Sequence, residues 1–203
     1  MKWKASYRFY RGCWRLARFV LGIFYRFEIR GRDNIPSGAA MICSNHSSLI
    51  DPIFIAFAFG IGCYLHFIAK VELFSIPVMS AVVIKLGAIS VDREKMGSDT
   101  IKSTLKYFKS GEKVAIFPEG TRNQDPDAVS AKFGAVKIAE RAGVPLVPVY
   151  VPRRKRLFGK ITMVIGKPYY IAKQAGKRSN EDYALLSESL MAGIEALNPG
   201  KPL

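Results

Sequence analysis

Apolar positions along the first part of the chain recur three and four residues apart: Trp3, Tyr7, Tyr10, Trp14, Ala17, Leu21 and Phe24. Lys4, Arg8, Arg11, Arg15 and Arg18 repeat the spacing one residue later, so the segment is predicted to form an amphipathic helix or helix pair. Beyond it, short apolar runs alternate with helical periodicities. Strands are expected at Ala39 to Ser44, around Tyr64 to Ile68, near Ala88 and Val114, at Leu146 to Val151 and at Ile161 to Ile165. Helices are expected at Pro52 to Phe59, Pro77 to Lys85, Thr100 to Lys109, Ser130 to Arg141 and Asn180 to Leu197, the last capped by Ser179 or Asn180. Alternation of this kind predicts an α/β fold, a single domain with a mixed sheet covered by helices.

The uncharged stretch from Pro52 to Ala69 approaches the length of a membrane span, but Gly60 and Gly62 divide it into a helix and a strand. Phe19 to Tyr25 is too short to span, and basic residues run through the region that a signal peptide keeps apolar. At 203 residues the chain has room for one sizeable core. The expected division is a basic-aromatic membrane-interface segment over 1–32 and an α/β domain over 33–203.

Charge sharpens the picture. The formal net charge is +15, and residues 1–32 carry nine Lys or Arg against Glu28 alone. A second basic knot is Arg153-Arg154-Lys155-Arg156. Such fields attract anionic lipid, acidic proteins or nucleic acid. No nucleic-acid recognition motif organises these cations, whereas basic residues beside an aromatic stripe suit a helix lying in an anionic membrane surface. The competing account is a helix packed on the domain with a solvated basic face. Cys13, Cys43 and Cys63 are too scattered for a disulfide framework or a metal site, which points to a reducing compartment. Strand alternation directs Cys43 and His46 to opposite faces, so Cys43 is expected in the core.

The candidate chemistry lies in Asn45-His46-Ser47-Ser48-Leu49-Ile50-Asp51-Pro52. An imidazole titrates near neutrality, and a carboxylate that fixes its tautomer makes the pair a general base. Pro52 is expected at the first position of a helix and Asp51 at its N-cap, with the preceding bend returning the carboxylate to the ring. Taken alone, the spacing also fits a helix cap beside a loop histidine. A second polar cluster, Phe117-Pro118-Glu119-Gly120-Thr121-Arg122, follows another expected strand.

With the segments Phe67 to Phe74, Gly87 to Arg93 and Val144 to Val149, these blocks resemble, in order, the glycerolipid acyltransferases, most closely the 1-acylglycerol-3-phosphate acyltransferases. The resemblance covers about half the chain, from Asn45 to Val149. It departs from the family pattern at Asn123 to Ala128, a stretch often richer in Gly and Ser, and resumes at Lys132 and Gly134.

The resemblance implies acyl transfer from a thioester to the sn-2 hydroxyl of 1-acylglycerol 3-phosphate, forming phosphatidic acid, with no bound cofactor. His46 is the expected base and Asp51 its orienting partner, and the substrate hydroxyl takes the place of a serine nucleophile. Arg122 is the leading phosphate ligand, with Lys70 and Arg93 as additions; Glu119 would bind a glycerol hydroxyl or orient Arg122, Gly120 allows a tight turn, and Thr121 donates a hydrogen bond. Ion pairs of Lys70 with Glu72, and of Arg93 with Asp92 or Glu94, compete with these roles. His66, in an apolar strand, is expected to be structural. Acyl-CoA and acyl-acyl carrier protein are both admissible donors, and the Arg153 to Arg156 knot suits either. The lysophospholipid and an anionic membrane surface are the expected partners, with no nucleic acid, and the expected location is the cytoplasmic face of a membrane (the inner membrane in a bacterium). A related acyltransferase accepting glycerol 3-phosphate or another lysolipid, and a non-catalytic membrane-binding module, are the alternatives.

Overall fold

The computed structural model describes residues 6–92, 97–125, 131–172, 174 and 176–200. Trp3, Lys4, Arg93 and the expected helix start at Ser130 lie outside the described residues.

Helix α1 (Tyr7–Phe24) is capped by Ser6, whose hydroxyl accepts the Phe9 N–H. It leads into strand β1 (Arg26–Arg30), followed by β2 (Ala40–Ser44), α2 (Asp51–Phe59), β3 (Leu65–Lys70), α3 (Pro77–Lys85) and β4 (Ile89–Val91). The chain continues through α4 (Ser98–Lys109), β5 (Lys113–Ile116), α5 (Gly134–Ala142), β6 (Leu146–Tyr150), β7 (Lys160–Ile165) and α6 (Asn180–Ala196). The strands form one seven-stranded sheet in the order β1-β7-β6-β2-β5-β3-β4, parallel throughout except at the β6–β7 junction.

Each central strand buries both faces, as a sheet covered on both sides requires. Ala40 and Ile42 of β2 face a core shared with α2 and β7, while Met41 and Cys43 face the layer of α4, α5 and α6. Cys43 is fully buried, as expected from alternation. Of the segment expected over 1–32, residues 26–30 form a strand of the sheet. Phe27 and Ile29 alternate with charged neighbours along β1, whose five residues pair in register with β7. The charges of Arg26, Glu28 and Arg30 obscured this period-two pattern.

The middle of the aromatic stripe of α1, Tyr10, Trp14, Ala17 and Leu21, packs on the domain, the competing account for this helix, while Tyr7 and Phe24 are exposed. Tyr10 is buried and donates its hydroxyl to the Cys63 carbonyl; Trp14 donates its indole N–H to the Ala56 carbonyl at 2.9 Å and packs edge-on against Phe57. Ala17 and Leu21 join the same core. The α2 segment presents the apolar surface, and the Ala56 and Cys63 carbonyls accept from the polar ends of these amphipathic rings. On the opposite side Leu16, Phe19, Val20 and Ile23 are exposed, Phe19 to 73%. No helix among the described residues is long and apolar enough to cross a membrane.

Candidate active site

Parallel strands deliver their C-terminal ends to one edge of a sheet, where ligands of open α/β folds bind. Here β2 lies between β5 and β6, so the loops after these three strands converge although their residues are far apart in sequence. The first carries His46, the second Phe117 to Arg122, and the third Arg153 and Lys155.

His46 Nδ1 lies 3.0 Å from Asp51 Oδ2. The same carboxylate oxygen accepts the Ser47 and Ser48 N–H groups, each at 2.7 Å, while Lys155 Nζ lies 2.7 Å from Oδ1. Asp51 is therefore the first helical residue of α2 rather than its expected N-cap. Ile50 holds that position without a side-chain bond, and the Asp51 side chain turns back to the preceding loop. Burial opposes ionisation of Asp51, but the His46 hydrogen bond, the Lys155 ammonium and the Ser47 N–H together hold its carboxyl below the usual range.

The imidazole is stacked on Phe117 with centroids 3.9 Å apart and planes 16° from parallel. Ring rotation is thus blocked on one face while Asp51 fixes Nδ1. Among the described residues no hydrogen bond engages Nε2, which leaves that nitrogen to meet an acceptor hydroxyl. Asn45 pins the loop below: its amide donates to the Val151 carbonyl at 2.7 Å and accepts the Val151 N–H at 2.8 Å, extending the β2–β6 ladder through a side chain.

Glu119 is 3% exposed and does not orient Arg122. Oε1 accepts the His46 backbone N–H at 3.0 Å and lies 2.8 Å from Arg153 Nη2. Arg153 also donates to the Asn123 carbonyl and is ion-paired with Glu195 of α6. Burial pushes the Glu119 carboxyl up, against the pull of Arg153 and the His46 N–H. The Arg153 to Arg156 knot suits an acyl donor in only two of its members: the side chains of Arg153 and Lys155 are held in internal ion pairs, and Arg154 and Arg156 are exposed. Nothing in the local sequence distinguishes the two pairs, since the partners Glu119, Glu195 and Asp51 are remote in the chain.

A cleft of about 560 Å³ adjoins the dyad, lined by Lys70, Val71, Glu72, Asp92, Glu119, Gly120, Thr121 and Lys132. Gly120 has φ 66°, a left-handed conformation that favours glycine, and a β-carbon there would press on the Lys132 side chain at 3.0 Å. Lys70 is paired with Glu72 at 2.5 Å, the competing arrangement anticipated from sequence. Arg122 is exposed, placed between Thr121 of the cleft and Asn123, whose N–H bonds the His46 carbonyl at 2.8 Å. Lys132 was not among the site residues expected from sequence. His66 is buried between the Gly87 carbonyl and Glu112 and stacked on Tyr107, a structural histidine as expected.

A histidine held by a carboxylate at the strand ends of a mixed α/β sheet, near a cleft lined by both acidic and basic side chains, is an arrangement able to accept a hydroxyl proton. The sequence model of the Acyltransferase family matches residues 26–152, and the chain belongs to that family. It is 35% identical to the 1-acyl-sn-glycerol-3-phosphate acyltransferase of Bacillus subtilis, over 93% of this chain and 96% of that protein. It is 30% identical to the chloroplastic enzyme of that name from Arabidopsis thaliana over 82% of this chain, which spans 50% of that longer relative. The crystal structure of the 1-acyl-sn-glycerophosphate acyltransferase PlsC of Thermotoga maritima superposes with a TM-score of 0.68 at 25% identity, covering 97% of this chain and 81% of that one.

Proposed function

We propose that the protein transfers a fatty acyl group from a thioester to the sn-2 hydroxyl of 1-acylglycerol 3-phosphate, releasing a thiol and forming phosphatidic acid. The observation that carries this reading is the buried His46–Asp51 pair, with Nδ1 bound and Nε2 open. His46 takes the hydroxyl proton as the oxygen attacks the thioester carbon, and Asp51 stabilises the resulting imidazolium. The acyl group passes directly to the substrate. Cys43 is excluded as a nucleophile because it is fully buried and burial pushes its thiol up, against thiolate formation.

The acceptor phosphate is assigned to the cleft, with Lys70, Lys132 and Arg122 as its cations and Thr121 as a hydroxyl donor; Arg93 follows Asp92 of the cleft in the chain and completes the assignment from sequence. Glu119 acts on the protein side, through the His46 N–H and Arg153, while Gly120 shapes the turn. The donor is acyl-CoA or acyl-acyl carrier protein. The membrane face is assigned to the exposed side of α1, Leu16, Phe19, Val20 and Ile23, continued by Phe158, whose N–H bonds the Phe24 carbonyl. The end of α1 precedes the start of β1, and β1 runs parallel to β7, whose first residue follows the Lys155 loop, so this apolar face lies at the catalytic edge. Arg8, Arg15 and Arg26 beside it suit an anionic bilayer on the cytoplasmic side.

A panel crossing both thioester donors with lysophosphatidic acid, glycerol 3-phosphate and other lysolipids tests the reading, with free thiol and lipid product measured together. Thiol release matched by phosphatidic acid is expected. Preference for glycerol 3-phosphate, or thiol release without acylated lipid, overturns it.

A further inference from the structure

Lys155 meets Asp51 from the side opposite His46. Its ammonium, on a side chain 6% exposed, lies 2.7 Å from Asp51 Oδ1, 2.8 Å from Ser47 Oγ and 2.7 Å from the Pro152 carbonyl oxygen. An ammonium has three N–H donors; the Ser47 hydroxyl, the Pro152 carbonyl and, at 3.5 Å, the Arg153 carbonyl accept from it, while Asp51 Oδ1 is its ion-pair contact. No donor remains for a substrate phosphate, which separates Lys155 from the exposed cations Arg154 and Arg156. A lysine is not required to orient Asp51, because the Ser47 and Ser48 N–H groups already hold Oδ2 against the imidazole.

Charge gives the ammonium a second task. The ionisable groups facing the dyad are Asp51 of α2, Glu119 after β5, Arg153 and Lys155 after β6, and Glu195 of α6 through Arg153. A carboxylate bound to an imidazole favours the imidazolium, and a protonated histidine cannot serve as a base. A buried anion with no cation of its own would draw a proton onto His46 before substrate arrives. We propose that Lys155 is a positioning residue that offsets the buried charge of Asp51, and that the hold of Asp51 on a proton of His46 is set by this cation. The inference rests on His46 as the base but not on the identity of the lipid acceptor.

The test compares Lys155→Met, Lys155→Gln and Lys155→Arg with the parent protein by two readouts: kcat/KM for thiol release from pH 5 to 10, and the titration of the His46 ring protons by NMR in the substrate-free protein. The second readout stands even if lysophosphatidic acid is not the acceptor; the His46→Ala spectrum separates its signals from those of His66. Removing the cation leaves Asp51 less neutralised, so the protonated form of His46 gains. The acid limb of the profile and the ring titration should both move up by about one pH unit in the Met and Gln variants, lowering turnover at pH 6 roughly tenfold and recovering it at high pH. Lys155→Arg should keep the parent limb. A uniform rate loss with unmoved limb and ring titration would make Lys155 a mechanical strut; unchanged profiles, or a downward shift, also overturn the proposal.

Discussion

The Glu119 carboxylate receives the backbone N–H of His46 at 3.0 Å across 73 residues of sequence, so the second polar motif grips the His46 loop itself. Arg153 bridges that carboxylate to Glu195, with the side chains of Arg153 and Glu119 only 7% and 0% exposed. Breaking such a buried pair from one side strands a charge, at a cost of about 3–5 kcal/mol. Arg153→Met should therefore lower both the thermal midpoint and kcat, measured by calorimetry and thiol release. Unchanged stability would mean that the network is water-exposed in solution.

His46→Ala should fold and lose about 10²–10⁴-fold in kcat, the range expected for a missing general base. Asp51→Asn should be impaired as well and destabilised at neutral pH. Because the folded-state carboxyl is held below its usual range, its stabilising contribution is present above the unfolded value of about 3.9 and fades as pH falls through the folded one. Thermal melts from pH 7 down to pH 3 should show the gap between parent and Asp51→Asn closing on the acid side.

Arg122→Lys keeps a positive charge but loses the planar fork that binds two phosphate oxygens at once. The expected outcome is a raised KM for lysophosphatidic acid with donor thioester hydrolysis little changed. Steady-state kinetics with each substrate varied in turn decides it; equal acceptor kinetics would remove Arg122 from the phosphate site.

Vesicle co-sedimentation separates the two faces of α1. Replacing Leu16, Phe19 and Ile23 with Ser should weaken partitioning at least about tenfold while leaving circular dichroism unchanged, since each exposed side chain offers up to roughly 1.5–3 kcal/mol on full burial. Trp14→Ser should instead lower the melting temperature, because it opens a cavity against Phe57 and removes the indole hydrogen bond to the Ala56 carbonyl. Arg8→Gln and Arg15→Gln should reduce the salt sensitivity of binding. Arg18 is a poorer probe of charge, as its guanidinium stacks 4.8 Å from the Phe27 ring centroid.

Cys43→Ala should keep near-parental turnover and lose about 1 kcal/mol of stability from the vacated core volume. Loss of activity in a variant whose melt is unchanged would reinstate the thiol as a participant.

Local pattern carried most of the fold. The helix over Pro77–Lys85 coincides with its expectation, and Ala40–Ser44, Asp51–Phe59 and Asn180–Ala196 differ from theirs by a residue at one end or the other. Strand β1 escaped because its apolar content is only Phe27 and Ile29 between charges, and its partner β7 is distant in sequence. His46 and Asp51 were legible because five residues and a proline-led helix start bring them together within one loop. Arg153, Lys155 and Asn45 were not, because their significance lies in contacts with Glu119, Asp51 and Val151 that only the strand order creates. For the same reason a row of aromatic residues one helical turn apart did not reveal whether it would meet lipid or protein.

The pairing of β1 with β7 bears on how the chain matures. Glu28 bonds Thr162 across 134 residues, so the first strand of the sheet waits for the last. The parallel set β2, β5, β3 and β4 is complete by Ile116, well before that partner is synthesised. Closing so distant a contact is slow, and an edge strand left unpaired behind α1 is prone to sticking meanwhile. A nascent chain that rests α1 on a nearby bilayer would keep this hazard away from other polypeptides until β7 emerges.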